Sequence, residues 1–335
     1  MTSYALLLAP SANRVYAEAA PRLARAELAA FGRVVDVKDT GGQTLGGVEY
    51  LTFDTLDGDL TERDIAHLSN LSAAYALFAR VGDLLRPVPL HPLQHFDDDL
   101  ITIPKYAGKT NEQFTRLLLN ITLLASANAP AMLAKRLTVL DPLCGRGTTL
   151  NQALMYGYDA IGIELDGKDV DAYSAFLRTY LRRKRLKHTA GTTPVRREKR
   201  LVARRFEATL GGGQRVLTFA GDTAQARLFL RPGCADVLVT DLPYGVAHGS
   251  RAGGAQSRRP LEVLARAVPV WAELLRPGGA LGMSWNTHVA GRELVAEVLT
   301  GAGLTVVTGP GYEDMSHWVD QAIERDVLVA TQPAV

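Results

Sequence analysis

From about residue 100 onward, short apolar runs bounded by turn residues alternate with longer stretches whose apolar positions recur at helical spacing. The runs at 138–140, 160–164, 216–220, 235–240, 280–285, 304–307 and 327–330 predict strands, and the stretches at 148–156, 168–185, 261–275 and 289–302 predict amphipathic helices. Strand and helix in alternation predict a parallel sheet covered by helices. The first 95 residues have a different texture. A strand is predicted over 4–9, and Asn13 is placed to cap a helix toward Phe31, kinked at Pro21; a second strand is predicted over 48–53. Thr61 with Asp64 opens a further helix, in which Ile65, Leu68, Leu71, Ala74, Tyr75 and Phe78 keep helical spacing. The run 86–92 holds three prolines and reads as a linker. The expected organisation is a small α/β domain over 1–95 and a larger α/β domain over 96–335.

Composition narrows the class. Apolar residues make up 47% and charged residues 21% of the 335, close to a soluble globular average, so a disordered or coiled-coil chain is excluded. The longest apolar runs fall short of the ~18 residues a membrane span needs. No basic residue precedes Arg14, so a secretory signal is not predicted. Two cysteines, Cys144 and Cys234, are too few for a disulfide framework or a Cys-based zinc site, and the seven histidines lack H-x-x-x-H spacing. A reduced, cytoplasmic protein without a metal is expected. Charge is unevenly spread. Residues 178–215 carry 13 Lys or Arg against two acids, while the rest of the chain carries 24 basic and 33 acidic residues, a net of −9. This basic insertion predicts a flexible excursion between two strands, suited to phosphate contacts or simply solvated.

Candidate chemistry gathers at strand ends. Asp141-Pro142-Leu143-Cys144-Gly145-Arg146-Gly147-Thr148 lies between the first strand of the larger domain and its helix. Gly145 and Gly147 allow a sharp turn and close ligand approach, and a side chain at either is expected to occupy ligand volume. The loop lacks Gly-Lys-Ser/Thr, and Leu150 spoils a dinucleotide fingerprint. Glu164, at the end of the second strand, suits the two hydroxyls of a ribose; Asp222, after the third, suits an adenine amino group. The fourth strand runs into Asp241-Leu242-Pro243-Tyr244. There Asp241 and the Leu242 carbonyl can both accept from an exocyclic NH2, and Tyr244 offers a stacking face. Two acceptors would aim the nitrogen lone pair at a methyl electrophile. His248, Trp285, Asn286, Tyr312 and His317 fall near strand ends and are candidates to line a substrate pocket.

These motifs resemble a known family. The segment 141–148 looks like the D-P-F/M-C-G-x-G-T motif of class I S-adenosylmethionine-dependent methyltransferases, and 241–244 like their (D/N/S)-P-P-Y amino-methylation motif, with Leu242 in place of the first proline. The chain most resembles the tRNA guanine-N2 methyltransferases acting near position ten; Pro104-Lys105-Tyr106-Ala107-Gly108-Lys109-Thr110-Asn111-Glu112-Gln113-Phe114-Thr115 resembles their segment before the first motif. The resemblance covers about residues 100–330. It implies a seven-stranded, Rossmann-like domain with S-adenosyl-L-methionine as cofactor. Lys109, Thr110, Asp141, Cys144, Gly145, Gly147, Thr148, Glu164 and Asp222 would bind the cofactor, and Asp241, Leu242, Pro243 and Tyr244 would carry catalysis. The implied activity is methylation of an exocyclic amino nitrogen of a nucleobase, guanine N2 in tRNA or another RNA. The first 95 residues are shorter than that family's tRNA-binding portion, which leaves two other readings: an amino-methyltransferase of a free small molecule, or an inactive RNA-binding protein on the same fold.

Overall fold

The computed structural model describes residues 1–11, 13–106, 108–243 and 260–334. Two sheets organise it. The first is formed by β1 (Thr2–Leu8), β2 (Lys38–Leu45), β3 (Val48–Thr55), β4 (Ala74–Val81) and β5 (Leu84–Val88), antiparallel throughout in the order β2-β3-β1-β4-β5. Helix α1 (Arg14–Phe31) begins where Asn13 accepts from the N–H groups of Val15 and Tyr16, as its capping role requires, and continues through Pro21. Helix α2 (Glu62–Leu68) opens on the Thr61–Asp64 capping box. It is shorter than the apolar spacing suggests. Residues 74–78 belong instead to β4, where Leu77 and Ala79 point inward and Tyr75 is 67% exposed; pairing with β1 imposes the two-residue period. Nor is 86–92 wholly a linker. Its start lies in β5, an edge strand on which Pro87 forfeits no ladder bond on its open side.

The second sheet comprises β6 (Thr138–Asp141), β7 (Asp159–Glu164), β8 (His188–Arg197), β9 (Arg200–Leu210), β10 (Arg215–Ala220), β11 (Ala235–Asp241), β12 (Leu275–Asn286), β13 (Thr305–Val306), β14 (His317–Asp320) and β15 (Ile323–Thr331). Their order is β13-β15-β12-β11-β6-β7-β10-β9-β8, with β14 added on β15. A strand lies at each of the seven expected places, and among the described residues the sheet has ten. The additions are β14 and the β8–β9 hairpin, so the basic insertion is a paired ribbon and not a loose excursion. Strands β6, β7, β10, β11 and β12 run parallel. The chain moves outward from β6 through β7 to β10, then returns to β11 on the other side of β6. Ligands bind such sheets at this switch point, above the carboxyl ends of the strands.

Among the described residues six helices accompany this sheet: α3 (Asp99–Thr102), α4 (Glu112–Ala125), α5 (Thr148–Met155), α6 (Gly167–Arg183), α7 (Pro260–Leu274) and α8 (Arg292–Gly301). Neighbouring strand residues feed opposite layers, as the pleat dictates. Val139, Val237 and Val239 join the layer of α4, α5 and α6, whereas Leu140 and Leu238 join that of α7 and α8. Nearly every residue of α4 from Phe114 onward is buried, because the first sheet and α1 cover it from outside. Glu27 of α1 is wholly buried in that contact. Its carboxylate accepts from the Ser72 N–H and hydroxyl and from Asn120 Nδ2, and Asn120 Oδ1 accepts in turn from the Tyr156 hydroxyl at 2.7 Å. Burial pushes Glu27 up to about 7 despite these donors.

Candidate active site

The loop between β6 and α5 folds back on the end of β7. Cys144 N–H donates to the Ile163 carbonyl (2.9 Å) and Gly145 N–H to Glu164 Oε2 (3.0 Å). Gly145 and Gly147 both have positive φ, +48° and +81°, which favours glycine. Their surroundings differ. A Cβ on Gly145 would meet nothing within 4 Å, whereas one on Gly147 would lie 2.4 Å from Tyr173 Cε2. Tyr173 belongs to α6 and is 2% exposed. A side chain at Gly147 would therefore meet α6, so the packing of α6 against the loop requires glycine there. Gly145 is the glycine that borders open space. Cys144 is buried against Gly162, where a Cβ would come within 2.7 Å of its sulfur, and burial pushes its thiol well up.

Acids mark the ends of three successive strands in space. Asp141, 4% exposed, accepts from Leu143 N–H at 3.1 Å; burial and the nearby charge of Glu164 push it up to about 7, against the pull of that N–H and the Thr149 and Thr240 hydroxyls. Glu164 holds Gly145 N–H with one oxygen and Asp166 N–H (2.9 Å) with the other; burial raises it as well. A carboxylate has about four acceptor sites, so both bonds leave capacity for hydroxyl donors. Asp222 caps the 3₁₀ turn Thr223–Leu228 by accepting from Ala224 N–H at 2.9 Å.

The segment before α4 closes against this loop. Tyr106 and Thr148 share a hydroxyl hydrogen bond of 2.7 Å, and the Arg146 guanidinium lies 5.3 Å from the centre of the Tyr106 ring. Lys109 donates to the Ile101 carbonyl and ion-pairs with Glu112, so its ammonium anchors the segment. Thr110, expected among the cofactor residues, reaches further: its hydroxyl donates to Asp241 Oδ2 at 2.7 Å.

Asp241 is the convergence point. Besides Thr110, the Ser284 hydroxyl donates to Oδ1, and Arg325 Nη2 lies 3.6 Å from Oδ2. Arg325 is 5% exposed, with its guanidinium 4.1 Å from the centre of the Phe114 ring. Neither Ser284 nor Arg325 was among the sequence candidates. Ser284 interrupts the apolar run of β12, whereas Arg325 stands between Glu324 and Asp326 at the polar start of β15, and their distance from Asp241 along the chain hides the partnership. Leu242 donates its N–H to the Ser284 carbonyl at 2.9 Å and buries its side chain beside Leu264, Trp285 and Ala290. Proline has no N–H to donate to that carbonyl and a smaller side chain for the cluster, a structural reason for leucine at this position. Pro243 adjoins the same apolar cluster. Tyr244 and His248 lie outside the described residues.

The other pocket candidates are structural. Trp285 Nε1 donates to the Ala290 carbonyl, and Asn286 bridges the Ala322 carbonyl and Glu324 N–H. The Tyr312 hydroxyl donates to the Ile121 carbonyl. His317 is enclosed by Tyr16 and Phe114, and burial pushes it down to about 4. Among the described residues, no cluster of three or more His, Cys, Asp or Glu is arranged to hold a metal, and no helix is long and apolar enough to cross a membrane.

No protein-family model matches the chain, and no curated protein does. Solved structures with related folds include the N-methyltransferase NodS from Bradyrhizobium japonicum, at 15% identity, covering 66% of this chain and 95% of that one with a TM-score of 0.39. A 1,6-didemethyltoxoflavin-N1-methyltransferase from Burkholderia thailandensis gives 16%, 62%, 76% and 0.37, and a TehB-like SAM-dependent methyltransferase from Corynebacterium glutamicum 15%, 61%, 84% and 0.35. At such identities and scores the likeness carries no functional argument, which rests on the chain's own residues.

Proposed function

We propose that the protein transfers a methyl group from S-adenosyl-L-methionine to an exocyclic amino nitrogen of a nucleobase in RNA, with guanine N2 of tRNA the favoured target. One observation carries this reading: Asp241, at the carboxyl end of β11 beside the switch point, is fixed by Thr110, Ser284 and Arg325. A carboxylate fixed from three sides is a preorganised acceptor.

The loop fits the cofactor. Gly145 borders open space, and Glu164 and Asp222 stand at the ends of consecutive strands with acceptor capacity remaining. Glu164 would hold ribose hydroxyls, Asp222 the adenine edge, and the loop with Asp141 the methionine end. When bound, the cofactor supplies an electrophilic methyl whose bond to sulfur breaks as the carbon–nitrogen bond forms, leaving S-adenosyl-L-homocysteine as a neutral thioether; the proton shed by the methylated nitrogen would pass to Asp241 and on to solvent. Asp241 would accept one amino hydrogen of the base and the Leu242 carbonyl the other, which turns the nitrogen lone pair outward and stabilises the charge that develops on nitrogen. Thr110 couples the two halves of the site, since it belongs to the segment that closes on the loop yet bonds the catalytic carboxylate. Arg325 and Ser284 are positioning residues: they act through Asp241.

The test is incubation with labelled S-adenosylmethionine and total RNA, followed by nucleoside analysis. Label in an N-methylated guanosine is expected. Label confined to small molecules would replace RNA by a free amine as substrate, and cofactor binding without transfer would make the chain an inactive RNA-binding protein.

A further inference from the structure

The basic insertion divides between the two ends of the sheet. Helix α6 runs back from the carboxyl end of β7, so Arg182 and Arg183 at its end lie at the amino edge of the parallel strands, far from the site. Lys184 beside them is already paired with Asp97 and Asp99. Strand β9 is antiparallel to β10, with Arg204 opposite Ala220, the last residue of β10. The hairpin therefore continues four residues past the sheet's carboxyl edge to Arg200, about 13 Å at ~3.3 Å per residue.

That tip is rigidly held and densely charged. Ala203, Phe206, Ala208 and Leu210 of β9 are buried, and Arg204 ties the ribbon to α6 through Asp171 and the Gly167 carbonyl. Arg197 donates to the Leu228 carbonyl, which sets the tip beside the turn that follows Asp222. Arg196, Arg197, Lys199 and Arg200 are exposed, and none is ion-paired among the described residues. The turn itself places Glu198 and Lys199 at φ of +47° and +66°. Asn-Gly would suit that turn better, so the chain keeps side chains there at a conformational cost.

We propose that this tip is a phosphate-contacting arm for the RNA substrate, engaging the backbone some nucleotides away from the base presented to Asp241. The inference rests on the RNA reading above. Four strand spacings separate β11 from β9, about 19 Å at ~4.8 Å each, a span that a polynucleotide bridges and a single small-molecule substrate does not.

The experiment compares Lys199→Gln/Arg200→Gln with Arg182→Gln/Arg183→Gln, measuring affinity for a labelled RNA stem-loop as a function of salt. Loss of two phosphate contacts flattens the slope of log K against log salt by about 1.4–1.8. The tip variant's defect is then about tenfold larger at 50 mM than at 200 mM salt, while the α6 variant keeps the wild-type slope. Unchanged cofactor affinity in both variants is part of the expected result. An unchanged slope in the tip variant, a loss confined to the α6 variant, or a preference for duplex DNA of the same sequence would overturn the inference. If the slope is unchanged while nucleoside analysis finds a methylated base, only the arm fails; if the wild type neither binds RNA nor labels it, the functional reading fails with it.

Discussion

The two loop glycines separate fold from ligand, and exchanging each for alanine shows which does which. At Gly147, with φ +81°, the left-handed backbone costs an L-residue about 1–2 kcal/mol. The new Cβ would also lie 2.4 Å from Cε2 and 2.5 Å from Cδ2 of Tyr173, a ring with almost no room to retreat, and overpacking of this kind costs about 1–3 kcal/mol. Together these give roughly 2–5 kcal/mol. At about 2 °C per kcal/mol for a chain of this size, Gly147→Ala should melt about 4–10 °C below the wild type. Gly145→Ala bears the backbone cost alone and should melt about 2–4 °C lower, because its Cβ meets nothing. The order reverses for S-adenosylmethionine. A methyl at Gly145 projects into the open space beside the loop and should weaken binding more than tenfold, while folded Gly147→Ala stays much nearer wild type. Differential scanning calorimetry and titration calorimetry read the two quantities separately. If Gly147→Ala melted with the wild type, or Gly145→Ala bound the cofactor unchanged, the assignment of one glycine to packing and the other to the ligand would be wrong.

Leu242→Pro, which would make the segment Asp-Pro-Pro-Tyr, should be destabilising by about 2–4 kcal/mol in urea unfolding, since it leaves the Ser284 carbonyl without its donor and empties part of an apolar cluster; wild-type stability would refute this. Glu27, raised to about 7 in the fold from an ordinary 4.5, holds its proton longer folded than unfolded, so stability should fall as pH rises from about 4.5 to 7 and level off above. The shift corresponds to on the order of 3 kcal/mol, and Glu27→Gln should remove most of that slope in melting curves taken at pH 5 and pH 8; parallel profiles for the two proteins would count against it.

Features written in neighbouring residues were legible in the sequence. The caps at Asn13 and Thr61 form because a side chain and the N–H groups it satisfies lie within three residues. Strand ends carrying Asp141, Glu164, Asp222 and Asp241 were legible for a similar reason, as an apolar run followed by an acid needs no distant partner. The segment 71–78 misled because Leu71, Ala74, Tyr75 and Phe78 fit a helical period, while Leu77 and Ala79 fit a strand; contact with β1 decides between them. The β8–β9 ribbon was hidden because its outer strand is almost entirely exposed and polar, and only β9 carries an alternating buried set. Gly147 resisted reading altogether, since nothing local distinguishes it from Gly145 until Tyr173 is brought against it. Ser284 and Arg325 meet Asp241 only through the order of the sheet, and Thr110, legible as part of the segment before the first motif, meets it only because that segment closes on the loop.

The account stands most directly on Asp241, and its turnover can be measured against a control matched for stability. Asp241→Ala removes the acceptor but also breaks the ion pair with buried Arg325, a loss of a few kcal/mol on its own. Arg325→Met breaks the same ion pair while Thr110 and Ser284 still hold the carboxylate. Single-turnover methyl transfer, measured below the melting range of both variants with cofactor affinity determined in parallel, should fall by about 10²–10³ for Asp241→Ala and by no more than about tenfold for Arg325→Met. Equal losses in the two variants, or near-normal transfer by Asp241→Ala, would contradict the assignment of Asp241 as the acceptor for the target amino group.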